Sequence, residues 1–175
     1  MPIARLRHEP YLIEIHAGED LAAVDWPSAA DSGSFDVHAF QTREFLALWM
    51  DTIGAARRSQ GLLVTVSDGD GAVCRFAFAR EARWGLQILR FMDGGVADYG
   101  APIIRRGYQF EADVFHRLWQ SILRALPRID AVDLRKVPPT VLGTPNPLAH
   151  LALRVSGDRG TFIAPGPDLD AYIKD

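Results

Sequence analysis

Three apolar runs separated by turn signals dominate the middle of the chain. LLVTVS (62–67), AVCRFAFA (72–79) and WGLQILRFM (84–92) follow one another with only DGDG (68–71) and REAR (80–83) between them. Asp-Gly between alternating runs favours a tight hairpin, because both residues tolerate the left-handed backbone that such a turn needs. The pattern predicts a three-strand antiparallel meander, with Trp84, Leu86 and Ile88 sharing one face of the third strand.

Two helical patterns flank it. From Phe40 the apolar residues recur at helical spacing, at Phe45, Leu48, Trp49, Thr52, Ile53 and Ala56, which predicts a core-facing helix over 40–58. The clearer one is 111–126, where Val114, Phe115, Leu118, Trp119, Ile122, Leu123 and Leu126 form one stripe and Pro127 stops it. Before the meander, YLIEI (11–15) reads as a strand and 17–36 as loop with one short helical turn. After the second helix come a strand in IDAVDLRKVP (129–138), a short helix after Pro147 and a strand at TFIAP (161–165). DLDAYIKD (168–175) looks like a helix beginning, with Pro167 at or near its first position. The expected fold is a mixed α/β (α+β) domain whose central sheet, largely antiparallel, is flanked by helices on both faces. The passage from 84 to 134 is the one place where a parallel crossover is expected.

Composition removes several function classes. The chain has 175 residues, a formal charge of -3, and almost all its positive charge as Arg, with Lys only at 136 and 174. No basic cluster marks a nucleic-acid footprint. A single cysteine, Cys74, allows neither an internal disulfide nor a thiolate metal site. It alternates with Phe76 and Phe78, as a core residue would. The five histidines, at 8, 16, 38, 116 and 150, lack metal-ligand spacing. Charges interrupt every apolar run near the start, so neither a secretory leader nor a membrane span is expected. The natural expectation is a soluble, cytoplasmic chain.

The element order resembles the GNAT acyltransferase fold. FQTREFLALW (40–49), the meander, the GGVADY stretch (94–99), DLRKVP (133–138) and NPLAHL (146–151) are similar to the amino-terminal half of CelD-like proteins, the FemAB-like, tandem-GNAT proteins of bacterial polysaccharide loci. The resemblance covers roughly residues 11–175. It implies a single GNAT-like domain over 1–166, with 167–175 beginning a linker helix toward a second half. The implied activity is N-acyltransfer, typically acetyl, from acetyl-CoA or another acyl-CoA. The acceptor would be a small molecule or a polysaccharide (sugar) precursor. The implied partner is a second GNAT-like half or a second copy of the chain.

In such enzymes the pyrophosphate sits on helix-start amides after a Q/R-x-x-G-x-G/A turn, where free N–H groups and the helix dipole favour an anion. Here RRGYQFEAD (105–113) holds one glycine, Gly107, and places Glu111 and Asp113 in the first turn, which repel a phosphate. Arg105 and Arg106 could offset that in part. The resemblance therefore predicts a half that does not hold CoA tightly.

FMDGGVADYGAPII (91–104) carries the remaining candidates. Gly94-Gly95 suits a sharp change of direction after a strand. Asp98-Tyr99 has two readings. A carboxylate beside a phenol can contact an acceptor amine or hydroxyl, and Tyr99 can act as an acid toward a leaving thiolate. Equally, Asp98 can cap a turn while the Tyr99 ring packs. Arg135, after a strand, suits an anionic substrate group or a solvated surface. Trp26 in VDWPS suits a sugar, a partner domain or the edge of the core. A non-catalytic module that recognises a protein or glycan through the same fold remains the rival expectation.

Overall fold

The computed structural model describes residues 1–17, 24–28 and 33–151. The expected strand at 161–165 and the helix start at 168–175 lie outside these residues. So does part of the 17–36 stretch.

β1 (Ala4–His8) and β2 (Tyr11–Ala17) form an antiparallel hairpin. After β3 (Phe35–Asp36) and a 3-10 turn (Ala39–Gln41) comes α1 (Arg43–Trp49). It continues through a π turn (Met50–Gly54) into α2 (Ala55–Arg57). The meander follows as β4 (Gln60–Asp68), β5 (Gly71–Arg83) and β6 (Leu86–Phe91). Then come β7 (Ile103–Arg105), α3 (Ala112–Ala125) and β8 (Ala131–Val132). A small hairpin, β9 (Thr140–Val141) with β10 (Thr144–Pro145), and a 3-10 turn (Pro147–His150) complete the described chain.

The main sheet runs β1-β2-β4-β5-β6-β8, with β7 beside β5 and β3 beside β7. Every pairing is antiparallel except β6 with β8, where Ile88 faces Ala131 and Leu89 faces Val132. The parallel crossover expected between 84 and 134 is therefore present, and α3 makes it. The fold is mixed α/β with a largely antiparallel sheet.

β5 explains how both faces are covered. Its FAFA segment puts Phe76 and Phe78 on one side and Ala77 and Ala79 on the other, because strand side chains alternate. The phenylalanines meet Phe115 and Trp119 of α3, with ring centroids 5.9–6.5 Å apart. The alanines leave room for larger partners, and Trp49, Leu46 and Met92 fill it. Large residues on one face and small ones on the other let two helices of different reach pack on one strand. All these side chains are buried, and each large one contributes about 1.5–3 kcal/mol by leaving water.

Three expectations change. Trp84 is not in the third strand. With Gly85 it forms the two-residue β5–β6 turn, at φ 51° and 79°, and its ring is 83% exposed under the Arg83 guanidinium, 4.2 Å away. A turn of that length needs two left-handed residues, so the residue before Gly85 must take the second such conformation. The first helix is also rotated by about one position. Leu48 is 62% exposed while Leu46 and Trp49 are 2% exposed. The phase is set at the start, where the Thr42 hydroxyl accepts the Phe45 N–H (3.4 Å) and turns Leu46 inward. Finally, the strand expected across 129–138 shortens to β8. The Asp130 and Asp133 amides still bond to Gln87 O (2.8 Å) and Leu89 O (2.9 Å).

Among the described residues no helix is long and apolar enough to cross a membrane. The rotated helix has a measurable signature. Leu46→Ala should cost about 2–5 kcal/mol of unfolding free energy, and Leu48→Ala less than about 0.5 kcal/mol. Urea midpoints of the two variants check it, and equal losses would restore the stripe read from spacing.

Candidate functional site: a charged cleft past the parallel strands

β6 and β8 stay paired for two residues and then part. Met92 still bonds to β5, its N–H donating to Ala77 O (3.1 Å). Residues 93–102 then leave the sheet, and β7 returns to β5 with Ile103 opposite Arg75. The glycine-rich stretch is thus an excursion out of one continuous line along β5.

The segment after β8 meets this loop. Gly100 N–H donates to Lys136 O (2.9 Å), and Lys136 Nζ donates to Ala97 O (2.7 Å) and Gly95 O (3.4 Å). Glycine at 100 is a packing requirement, since a Cβ there would strike the Arg135 carbonyl and the Phe91 ring. Gly94 has φ 62°, and a Cβ on it would lie 2.7 Å from Ile53 Cγ2. The loop therefore sits close on α1 and its π turn on one side and on 135–136 on the other.

Between these walls lies a cleft of about 260 Å³. Asp93, Gly94 and Gly95 line one side and Asp133, Arg135 and Lys136 the other, with Arg57, Glu81, Arg90 and Phe91 completing it. Glu81 and Arg90 project from the sheet face that carries Ala77 and Ala79, by strand alternation. Their charges alternate along a chain. Arg57 lies 3.8 Å from Glu81, and Arg90 3.9 Å from the same carboxylate. Arg90 also reaches Asp133 at 2.6 Å, and Arg135 grips Asp133 twice, at 2.9 and 3.1 Å. Hydrogen bonds from Arg135, with the nearby charge of Arg90, hold the Asp133 carboxyl below its usual range. Arg90 Nε is buried without a hydrogen-bond partner. So is the indole N–H of Trp49, which lies beneath Gly94.

Of the residues singled out by sequence, Arg135 lines this cleft. It is 74% exposed. Asp98 and Tyr99 lie further along the same loop, outside the cleft lining. Asp98 is exposed. The Tyr99 ring is 44% exposed and stacks on His38 (centroids 5.0 Å, 20° between planes), and its carbonyl accepts from Gln41 Nε2 (3.2 Å). Trp26 is buried, with its indole N–H donating to Gln41 O (2.7 Å), at the edge of a shallow second depression with Arg43 and Arg75. Gln41 thereby links Trp26 to the loop. Nothing in the sequence assigns Arg57, Glu81, Arg90, Asp133 or His38 to a site. The available signal was charge on a face otherwise set by alanines.

The approach to α3 is committed to the protein itself. Arg105 is paired with Asp68 (3.1 Å) and Arg106 with Asp36 (3.0 Å). The Arg106 amide donates to Ser34 O (2.7 Å), that of Gly107 to Thr144 Oγ1 (3.0 Å) and that of Tyr108 to Arg105 O (2.9 Å). Glu111 is the N-cap and Asp113 lies in the first turn. Elsewhere, burial pushes the Cys74 thiol up, which suits a packed residue. His116 donates its Nδ1–H to Ala112 O (2.9 Å) on the helix surface. Among the described residues no three His, Cys, Asp or Glu side chains group as a metal site.

Comparison with protein-family models, with curated proteins and with solved structures gave no match.

Burial lowers the His38 pKa from its ordinary 6.5. The unfolded chain then binds this proton first, so stability is full above pH 6.5 and falls as pH drops through the folded value. His38→Phe, which keeps a ring against Tyr99, should reduce the difference in urea midpoint between about pH 7.5 and pH 5.5. An unchanged difference would show that His38 does not titrate this way.

Proposed function

We propose that this chain is the acceptor-side half of an acyl-CoA-dependent transferase of the GNAT kind. It would act in the cytoplasm on a small molecule or a polysaccharide precursor, with a second GNAT-like half or a second copy holding the acyl-CoA. One observation carries the reading: the cleft lies just past the carboxyl ends of the sheet's parallel pair, the place where open α/β sheets bind ligands. The order of elements around α3 supports it. So does the approach to α3, whose arginines and amides are spent on Asp68, Asp36, Ser34 and Thr144, with two carboxylates at the helix start.

In this reading the acceptor nucleophile attacks the thioester carbon directly, and a base takes its proton as the thiolate leaves. Asp98 and Tyr99, exposed beyond the cleft on the same loop, would meet an acceptor amine or hydroxyl, and the phenol would protonate the leaving thiolate. Arg135 orients the acceptor.

The mutual pairing of the cleft's carboxylates with its arginines favours one second reading, a non-catalytic module that recognises a glycan or protein. Calorimetric titration with acetyl-CoA separates the main reading from a self-sufficient enzyme. The chain should bind it no tighter than about 1 mM, corresponding to roughly -4 kcal/mol. A saturable isotherm in the low micromolar range would make this half the working transferase.

A further inference from the structure

We infer that the cleft between residues 93–95 and 133–136 is a subsite for an anionic group, a carboxylate or a phosphate ester, of the kind a sugar acid or a sugar phosphate carries. The ligand's role as acceptor rests on the function proposed above; the anion site itself rests on the cleft.

Four cations and three carboxylates line the cleft, leaving one positive charge in excess. Their order matters more than their number. Arginines occupy both ends and the middle of the chain Arg57–Glu81–Arg90–Asp133–Arg135, so each of these two carboxylates is neutralised from two sides. The third, Asp93, accepts the Gly95 N–H (3.0 Å) in a local turn at the surface. The most exposed of the paired groups are cationic. Arg57 and Arg135 are the exposed ends of the chain, and Lys136 is held at the rim by the carbonyls of Ala97 and Gly95.

Donors are also in surplus. The buried Arg90 Nε–H has no acceptor within hydrogen-bonding distance, and Glu81, at 3.9 Å, is too far to serve. A group with several acceptor oxygens matches such a lining, and arginine forks suit carboxylate and phosphate alike. The Arg57 guanidinium is steadied by Gly94 O (3.2 Å) and Arg135 by Asp133, so the cationic ends are positioned before a ligand arrives. The walls beside these charges are backbone at Gly94 and Gly95, so a small anion meets no bulky side chain there.

Three probes at constant ionic strength test this on the full chain: glucuronate, glucose 6-phosphate and glucose. The readout is the amide shifts of Gly94 and Gly95 in proton–nitrogen correlation spectra. Saturable shifts are expected with at least one anionic sugar and none with glucose, and the tighter of the two names the anionic group. Arg135→Gln, at an exposed position, should keep the dispersed spectrum and weaken the anion about tenfold. Silence at both glycines, equal shifts with glucose, or an affinity untouched by Arg135→Gln would overturn the inference. The two proposals fail separately. Tight acetyl-CoA binding at 105–113 would end the half-enzyme reading and leave the anion site standing, while silent glycines would end the site and leave that reading standing.

Discussion

The structure depends on the central strand β5 being buried on both faces at once. A strand in that position cannot alternate apolar with polar, as a half-exposed strand does. It alternates large with small instead. Phe76 and Phe78 reach into the layer under α3, and Ala77 and Ala79 make a shallow floor for Trp49. One end of the strand pairs with β6 and the other with β7, so its length decides where the sheet can be interrupted.

That interruption is where the chemistry gathers. Past Ala79 the same small-residue face carries Glu81, and its neighbour strand carries Arg90, so charge begins where the helix cover ends. Part-buried ions of this sort are stable only when each is matched, and a chain of alternating signs achieves this with few side chains. Arg90 joins the two carboxylates, so each of them keeps a second arginine if one partner moves.

Much of the architecture was legible in the residues. The meander, the α3 stripe and the parallel crossover follow from alternation, periodicity and the Asp-Gly turn, which are local signals. The misplaced features are those where local signals conflict. Trp84 has every strand propensity, yet Gly85 after it demands a tight turn. Leu48 is as apolar as Leu46, and only the cap at Thr42 distinguishes them. β1 shows only Ala4 and Leu6 alternating with Arg5 and Arg7, too short a run to reveal it, and β9 and β10 are too short to carry a pattern. Within the candidate site only Arg135 and the Gly94-Gly95 turn were visible beforehand. Arg57, Glu81, Arg90 and Asp133 come from α2, two strands and the segment after β8, and nothing in their spacing announces that folding brings them to one place.

Both ends of the 93–102 loop are anchored two residues apart on β5, at Ala77 and Arg75. The register of the sheet on either side is therefore fixed by β5 and not by the segment between. Exposed positions such as Val96 and Asp98 are free to vary without disturbing it, whereas Gly94 and Gly100 are held to glycine by Ile53 and by the Arg135 carbonyl.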